Sequence, residues 1–339
     1  MKRSIVYLAA LFVSVFLTSC FQDIDNEAME LPYQERFESP FNISGNATFY
    51  KIHENITELV ENHKIGGWDL AFQSAKAGDF VLINYTTSAQ VIKTGTEIFS
   101  EVDKSLADKL FNSDQWKFND PSFSNVKDSL ALKDWENKEV YILNRGAAFP
   151  AEESFYKIQF VSKTETSYTF KYAHIESAEA IEKTVERSPV YVNQYFSFET
   201  GELASFEPII DNWHFFFSPY IGWYETLTAG VYSPYNVKGV MINNEGGVRV
   251  AKIDDENIVY EDISLSDAQA MEFTDFKGVI GSNWKKIPTT ENPVYEMDTD
   301  KKYIFKLNDG NYYKMRFLDY YSSDTGEQGF TSFEMLLLN

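Results

Sequence analysis

The sequence predicts a mainly β protein, all-β or α+β, built of antiparallel sheets with a few short helices. Three observations predict it. Short segments along the chain alternate apolar with polar side chains, which is the period of a half-buried strand. Those segments are rich in Tyr and Phe, 21 and 28 of 339 residues, types that fit a pleated surface. Helical periodicity is confined to a few brief stretches, and turn signals punctuate the rest.

The chain begins MKRSIVYLAALFVSVFLTSC. Lys2 and Arg3 precede an apolar run, Ile5 to Leu17, which has the length of a signal-peptide core and is too short to span a bilayer. Leu17-Thr18-Ser19-Cys20 resembles the bacterial lipobox. That resemblance implies removal of residues 1–19 as a lipoprotein signal peptide and lipidation of Cys20, where several acyl chains give a stable anchor. Cys20 is the one cysteine, so an intrachain disulfide and a Cys-ligated zinc site are excluded. Residues 20–34 form an acidic tether. Asp23, Asp25 and Glu27 do not make a calcium loop, because the required Gly is missing and Gln34 stands where the bidentate Glu belongs. An acidic stretch after the lipidated cysteine resembles the surface-export signal of Bacteroidetes lipoproteins, which implies an outer-membrane lipoprotein at the cell surface.

Beyond the tether the chain repeats itself. SFYKIQF (154–160) returns as NYYKMRF (311–317), and Trp68 in GGWDLAF answers Trp213 in DNWHFFF. At the spacing of the two tryptophans, Tyr50 aligns with Tyr195 and Glu54 with Glu199. EVYILN (139–144) answers KKYIFKLN (301–308), and YTFKY (168–172) answers TSFEM (331–335). The order is kept, so two copies of one domain are expected, at 35–176 and 187–339. SFYKIQFVS, YTFKYAHI, VYVNQYFSF, KKYIFKL and NYYKMRFLDYY read as strands, and Asp309-Gly310-Asn311 marks a hairpin. IFSEVDKSLADKLF (98–111) sets Val102, Leu106 and Leu110 on one helical face; LSDAQAMEF (265–273) and NITELVENH (55–63) are shorter helix candidates. The charged, aromatic-poor segment around 177–186 reads as a partly helical linker.

YFSFETG (195–201), the Trp of DNWHFFF and the closing KKYIFKLNDGNYYKMRFLDYYSSDTGEQGFTSFEM (301–335) resemble the HmuY family of Bacteroidetes, and Trp68-Asp69-Leu70-Ala71-Phe72 is similar to its W-D-[IL]-A-F motif. The resemblance implies a tandem pair of lipid-anchored, mostly antiparallel β domains. It also implies haem held between two axial His or Met side chains and passed to a TonB-dependent outer-membrane receptor. The position after W-D-[IL]-A-F, where the family commonly has a ligating His, is Gln73 in the first copy and Ser218 in the second.

Other side chains could serve as haem ligands: His214 beside Trp213, Met241 in GVMINNEGG and Met271 in AQAMEF. His53 and His63 would not share a helix face and do not form a zinc-helix pair. Trp223, Tyr224, Tyr232 and Tyr235, in IGWYETLTAGVYSPY, read as an exposed loop or short hairpin that could stack on a porphyrin, a sugar ring or a protein. No G-x-S-x-G, P-loop, H-E-x-x-H or G-x-G-x-x-G occurs, so no enzyme is expected. A net charge of −21 repels phosphate backbones and argues against nucleic acid. The expected function is haem or tetrapyrrole capture in haem acquisition. The alternative is a non-haem surface lipoprotein that binds a glycan or partner protein through the exposed aromatics.

Overall fold

The alternating segments form the strands of five antiparallel sheets in the computed structural model, which describes residues 36–53, 56–74, 78–122, 130–132, 135–226 and 228–339. In chain order they are β1 (Arg36–Glu38), β2 (Asn46–His53), β3 (Ile56–Lys64), β4 (Leu70–Gln73), β5 (Val81–Ile83) and β6 (Gln90–Lys93), then helix α1 (Lys104–Leu110). There follow β7 (Tyr141–Asn144), β8 (Phe155–Lys163), β9 (Ser167–His174), β10 (Ile181–Glu186), β11 (Asn193–Ser197), β12 (Glu202–Ala204), β13 (Phe215–Glu225), β14 (Tyr232–Ile242) and β15 (Arg249–Asp254). After α2 (Leu265–Gln269) come β16 (Lys285–Lys286), β17 (Glu296–Met297), β18 (Lys301–Lys306), β19 (Tyr312–Tyr321) and β20 (Gln328–Leu337). Both helices start at side-chain caps. Asp103 accepts from the Leu106 N–H, and Ser264 with Asp267 makes a reciprocal capping box.

Two five-stranded sheets have the orders β6-β7-β8-β9-β10 and β15-β18-β19-β20-β1. They correspond strand for strand: Tyr141 faces Ile158 in the first as Tyr303 faces Met315 in the second. The recurring heptapeptides therefore occupy one structural position, β8 and β19. Two four-stranded sheets, β5-β4-β11-β12 and β3-β2-β13-β14, join the halves of the chain. Phe215 of β13 pairs with Tyr50 of β2, and Phe196 of β11 pairs with Leu70 of β4.

The halves thus exchange their leading strands, and residues Gln34–Asn339 form one compact unit. The expected division at 177–186 finds no boundary in the strand pairing. Ile181–Glu186 is not a partly helical linker but β10, paired along its length with β9. It is an edge strand with one buried side chain, Val185, so it needs little apolar sequence and reads as a solvated connection. The helix expected over 55–63 is likewise not formed by its described residues, 56–63. Ile56–Lys64 is β3, and a register shift opposite Phe49 and Tyr50 breaks the alternation that would have marked it as a strand. The other two helix expectations are met in shortened form: 98–111 contains α1 only over Lys104–Leu110, with Val102 extended before it, and 265–273 contains α2 over Leu265–Gln269.

Each five-stranded sheet covers an apolar core of its own. A third core lies between the four-stranded sheets and contains Phe49, Trp68, Tyr195, Phe206, Trp213 and Met241, drawn from both halves. Its rings stack or meet edge-on, as in Phe49 against Phe216 at 4.8 Å and Trp68 against Tyr195 at 4.8 Å. Burial of this shared core ties the halves together and fixes the two tryptophan strands that carry the site.

Candidate functional site

The residues after the two core tryptophans mark corresponding places in the two halves. The backbone is pinned the same way in each. Asn84 Nδ2 donates to the Trp68 carbonyl at 2.6 Å, and Asn243 Nδ2 donates to the Trp213 carbonyl at 2.9 Å. In the first half the next residue is Asp69. Its carboxylate is buried and accepts from Arg145 Nε at 2.6 Å, from the second guanidinium nitrogen at 3.2 Å, and from the Phe198 N–H at 2.7 Å. The guanidinium lies 3.5 Å from the centre of the Phe149 ring. The β7–β8 connection that supplies Arg145 and Phe149 packs closely: a Cβ on Gly146, whose φ is +90°, would fall 2.1 Å from the Thr87 carbonyl oxygen. Side chains of the protein itself fill this place.

In the second half the counterpart is open. His214 stands where Asp69 stands, and the matched registers of β7 and β18 put Leu307 at the place of Arg145. The β18–β19 chain turns at once through Asp309-Gly310, with the Asn311 N–H on Asp309 Oδ1 at 2.9 Å. With no long connection to fill it, a cavity of about 410 Å³ remains. Lys51, His53, Trp213, His214, Leu307 and Asp309 are among its walls.

Its two imidazoles differ. His214 Nδ1 accepts the Ile52 backbone N–H at 2.8 Å. A backbone amide can only donate, so the proton of the neutral ring is on Nε2. Burial, reinforced by Lys51 and His53, lowers the His214 pKa to about 4, so the neutral form prevails. An imidazole that binds iron through Nε2 normally donates Nδ1–H to a carbonyl or carboxylate. His214 is arranged the other way round: Nδ1 accepts, and Nε2–H is left to donate. His53 is 47% exposed, with Nε2 3.2 Å from Glu58 Oε2, an exposed pair that costs little to separate. Lys51 Nζ donates to the Asp211 carbonyl at 3.0 Å and to Asn212 Oδ1 at 3.2 Å.

The sequence-derived candidates are scattered by the fold. Met241 is fully buried opposite Phe216 in the central core, and its thioether would reach a ligand only by opening that core. Met271 is half-buried against a separate cluster beside α2. Those two and His214 are not brought together. Gln73 and Ser218 are occupied internally: Gln73 Oε1 accepts the Phe80 N–H at 2.9 Å, and Ser218 Oγ donates to the Pro219 carbonyl at 2.9 Å. Cys20 lies outside the described residues. Trp223, Tyr224, Tyr232 and Tyr235 do come together, at the far end of the β13–β14 hairpin, where Gly222 pairs with Tyr235 and Glu225 with Tyr232. Tyr232 and Tyr235 are 43% and 59% exposed. His63 sits 2.7 Å from Glu61, and among the described residues no group of three or more His, Cys, Asp or Glu could hold a metal ion.

The cavity residue that sequence reasoning missed is His53. No local sequence pattern marks it; His53 comes beside His214 only because β2 pairs with β13 of the other half.

The HmuY protein family matches residues 41–335 as one stretch across both halves. Among solved structures, a Bacteroides vulgatus protein described as HmuY-like and haem-binding has 12% identity over 88% of this chain and 89% of its own, with a TM-score of 0.21. A Bacteroides fragilis protein described as a lipoprotein has 11% identity over 88% and 87%, with a TM-score of 0.20. Apo PinO from Porphyromonas gingivitis has 10% identity over 91% and 94%, with a TM-score of 0.15. No curated protein matches the chain.

Proposed function

This chain belongs to the HmuY family, and from that premise we propose that it captures haem or a related tetrapyrrole in the cavity between His53 and His214. We place the protein at the cell surface, anchored to the outer membrane through lipidated Cys20 and handing its ligand to a TonB-dependent receptor. One observation carries the ligand reading: two imidazoles border a single cavity of about 410 Å³ beside apolar Ile52, Trp213 and Leu307. That volume is within the ~300–1,000 Å³ of small-ligand sites. Apolar burial would supply most of the affinity. His53 would supply the imidazole lone pair to iron, because leaving Glu58 costs little. His214 would donate Nε2–H to an acceptor on the ligand. Capture and release need no chemistry on the ligand, which accords with a binding family rather than an enzyme.

The test is a titration of the soluble protein, starting at Phe21, with ferric and ferrous haem, followed at the Soret band. The expected result is a saturable shift without the low-spin spectrum of two strong axial ligands. His53→Ala should abolish it, and Met241→Leu and Met271→Leu should leave it in place. A shift unchanged in His53→Ala overturns this site. A featureless titration overturns haem capture and favours the alternative, a surface lipoprotein that binds a glycan or partner protein through Trp223, Tyr224, Tyr232 and Tyr235. The exposure of Tyr232 and Tyr235 is the observation that keeps this second reading.

A further inference from the structure

A second cavity lies against the β13–β14 hairpin, away from His53 and His214. Its volume is about 190 Å³ and its walls include Asp120, Ser122, Tyr220, Trp223, Tyr224 and Asn283. This is below the ~300 Å³ at which drug-sized sites begin, so it suits a ligand of about one ring and excludes a porphyrin.

We propose that this pocket binds one ring of a neutral sugar. The aromatic walls offer faces for the C–H side of a pyranose. The indole Nε1 of Trp223 is shielded from water and has no hydrogen-bond partner among the described residues. Trp68, Trp213 and Trp284 also leave Nε1 unpaired among the described residues, but all three side chains are fully buried, whereas Trp223 is half-buried and borders this pocket. An acceptor on a ligand would relieve that unpaired donor. The remaining polar lining suits hydroxyl groups: the Asp120 carboxylate, held by the Ser122 N–H at 2.9 Å and its hydroxyl at 2.6 Å, and the Ser122, Ser282 and Asn283 side chains. Tyr224 is fixed by a 2.9 Å hydrogen bond between its hydroxyl and Ser282. Glycines keep the space clear. A Cβ on Gly222 would fall 2.6 Å from the Tyr224 ring, and one on Gly278 would fall 2.8 Å from Ser122 Cβ. An anionic ligand is disfavoured, because Asp120 lines the pocket and Lys252, the one cation among its described wall residues, is 3.0 Å from Asp254.

This site rests on the glycan reading of the same aromatics and not on haem capture, and the experiment separates the two. The soluble protein starting at Phe21 is probed with glucose, galactose, mannose and N-acetylglucosamine by saturation-transfer NMR and tryptophan fluorescence. The expected result is saturable binding of at least one sugar, weakened about tenfold or more in Trp223→Ala, the equivalent of ~1.4 kcal/mol. Trp223→Phe keeps the stacking face and loses the N–H donor, so a smaller loss of about fivefold is expected, as for one hydrogen bond. His53→Ala should bind sugar as the parent does. The proposal is overturned if no probe gives a saturable signal, if Trp223→Ala binds like the parent while folded, or if His53→Ala loses sugar binding equally.

Discussion

Replacing Arg145 with Ala tests the contrast between the filled and open counterparts. The Arg145 and Asp69 side chains are only 3% and 1% exposed, so the pair has left water almost completely. Removing the guanidinium strands a buried carboxylate with the Phe198 N–H as its remaining hydrogen-bond donor. Breaking one partner of such a pair costs about 3–5 kcal/mol, most of it the penalty of the charge left behind. At about 2 °C per kcal/mol, appropriate to a chain of this size, the melting temperature should fall by about 8 °C. The double variant Asp69→Asn/Arg145→Met removes both charges, keeps an oxygen for the Phe198 N–H and retains a chain to cover Phe149. It should recover most of the loss. Denaturant and thermal unfolding of the parent, the single and the double variant measure the three stabilities. A loss below about 1 kcal/mol in Arg145→Ala, the range of an exposed pair such as Lys104–Asp108, would refute the argument. So would a double variant no more stable than the single.

Met241→Ala should cost about 2–5 kcal/mol in denaturant unfolding, because the side chain is fully buried; a loss under 1 kcal/mol would contradict its place in the central core. His214 is neutral when folded, with its pKa lowered to about 4, while in the unfolded chain it takes up a proton near 6.5. The unfolded state therefore gains stability relative to the native one as pH falls from 6.5 towards 4. Unfolding free energy should drop over that window by about 1–2 kcal/mol, discounted for partial exposure, and His214→Gln should flatten the slope. Burial lowers the Lys285 pKa to about 7, and its ammonium sits 2.7 Å from the Lys238 carbonyl oxygen and 4.0 Å from the centre of the Trp284 ring. Between pH 7 and 10.5 the unfolded chain binds the extra proton, so stability should rise with pH there. Lys285→Met should remove that rise in melts across the alkaline range.

Much of the fold was legible locally. SFYKIQFVS, YTFKYAHI and NYYKMRFLDYY alternate, and they are β8, β9 and β19. The Asp309-Gly310 hairpin followed from turn chemistry, and α1 from the spacing of Leu106 and Leu110, whereas Val102 is extended backbone ahead of the helix. What misled was an edge. β10 buries one side chain and β3 carries a register shift, so neither displays the period that marks a strand. The site was less legible. His214 was visible beside Trp213, but its tautomer depends on an amide of β2, contributed by Ile52. Met241 reads as a candidate because it falls in the stretch of the second half where ligand-bearing loops are expected. The strand runs through Ile242 and buries Met241 instead.

By itself the sequence determined the β class, the recurrence of one strand order in both halves and the family. These rest on local period, turn residues and short motifs, which near neighbours in the chain can specify. Only the tertiary structure decided that the halves exchange their leading strands, that Arg145 and Phe149 fill one counterpart site, and that a tight turn leaves the other open between His53 and His214. Those outcomes depend on which strand edges pair and how much space each connection occupies. Both are settled by burying one shared core, a property of the whole chain that no single segment carries.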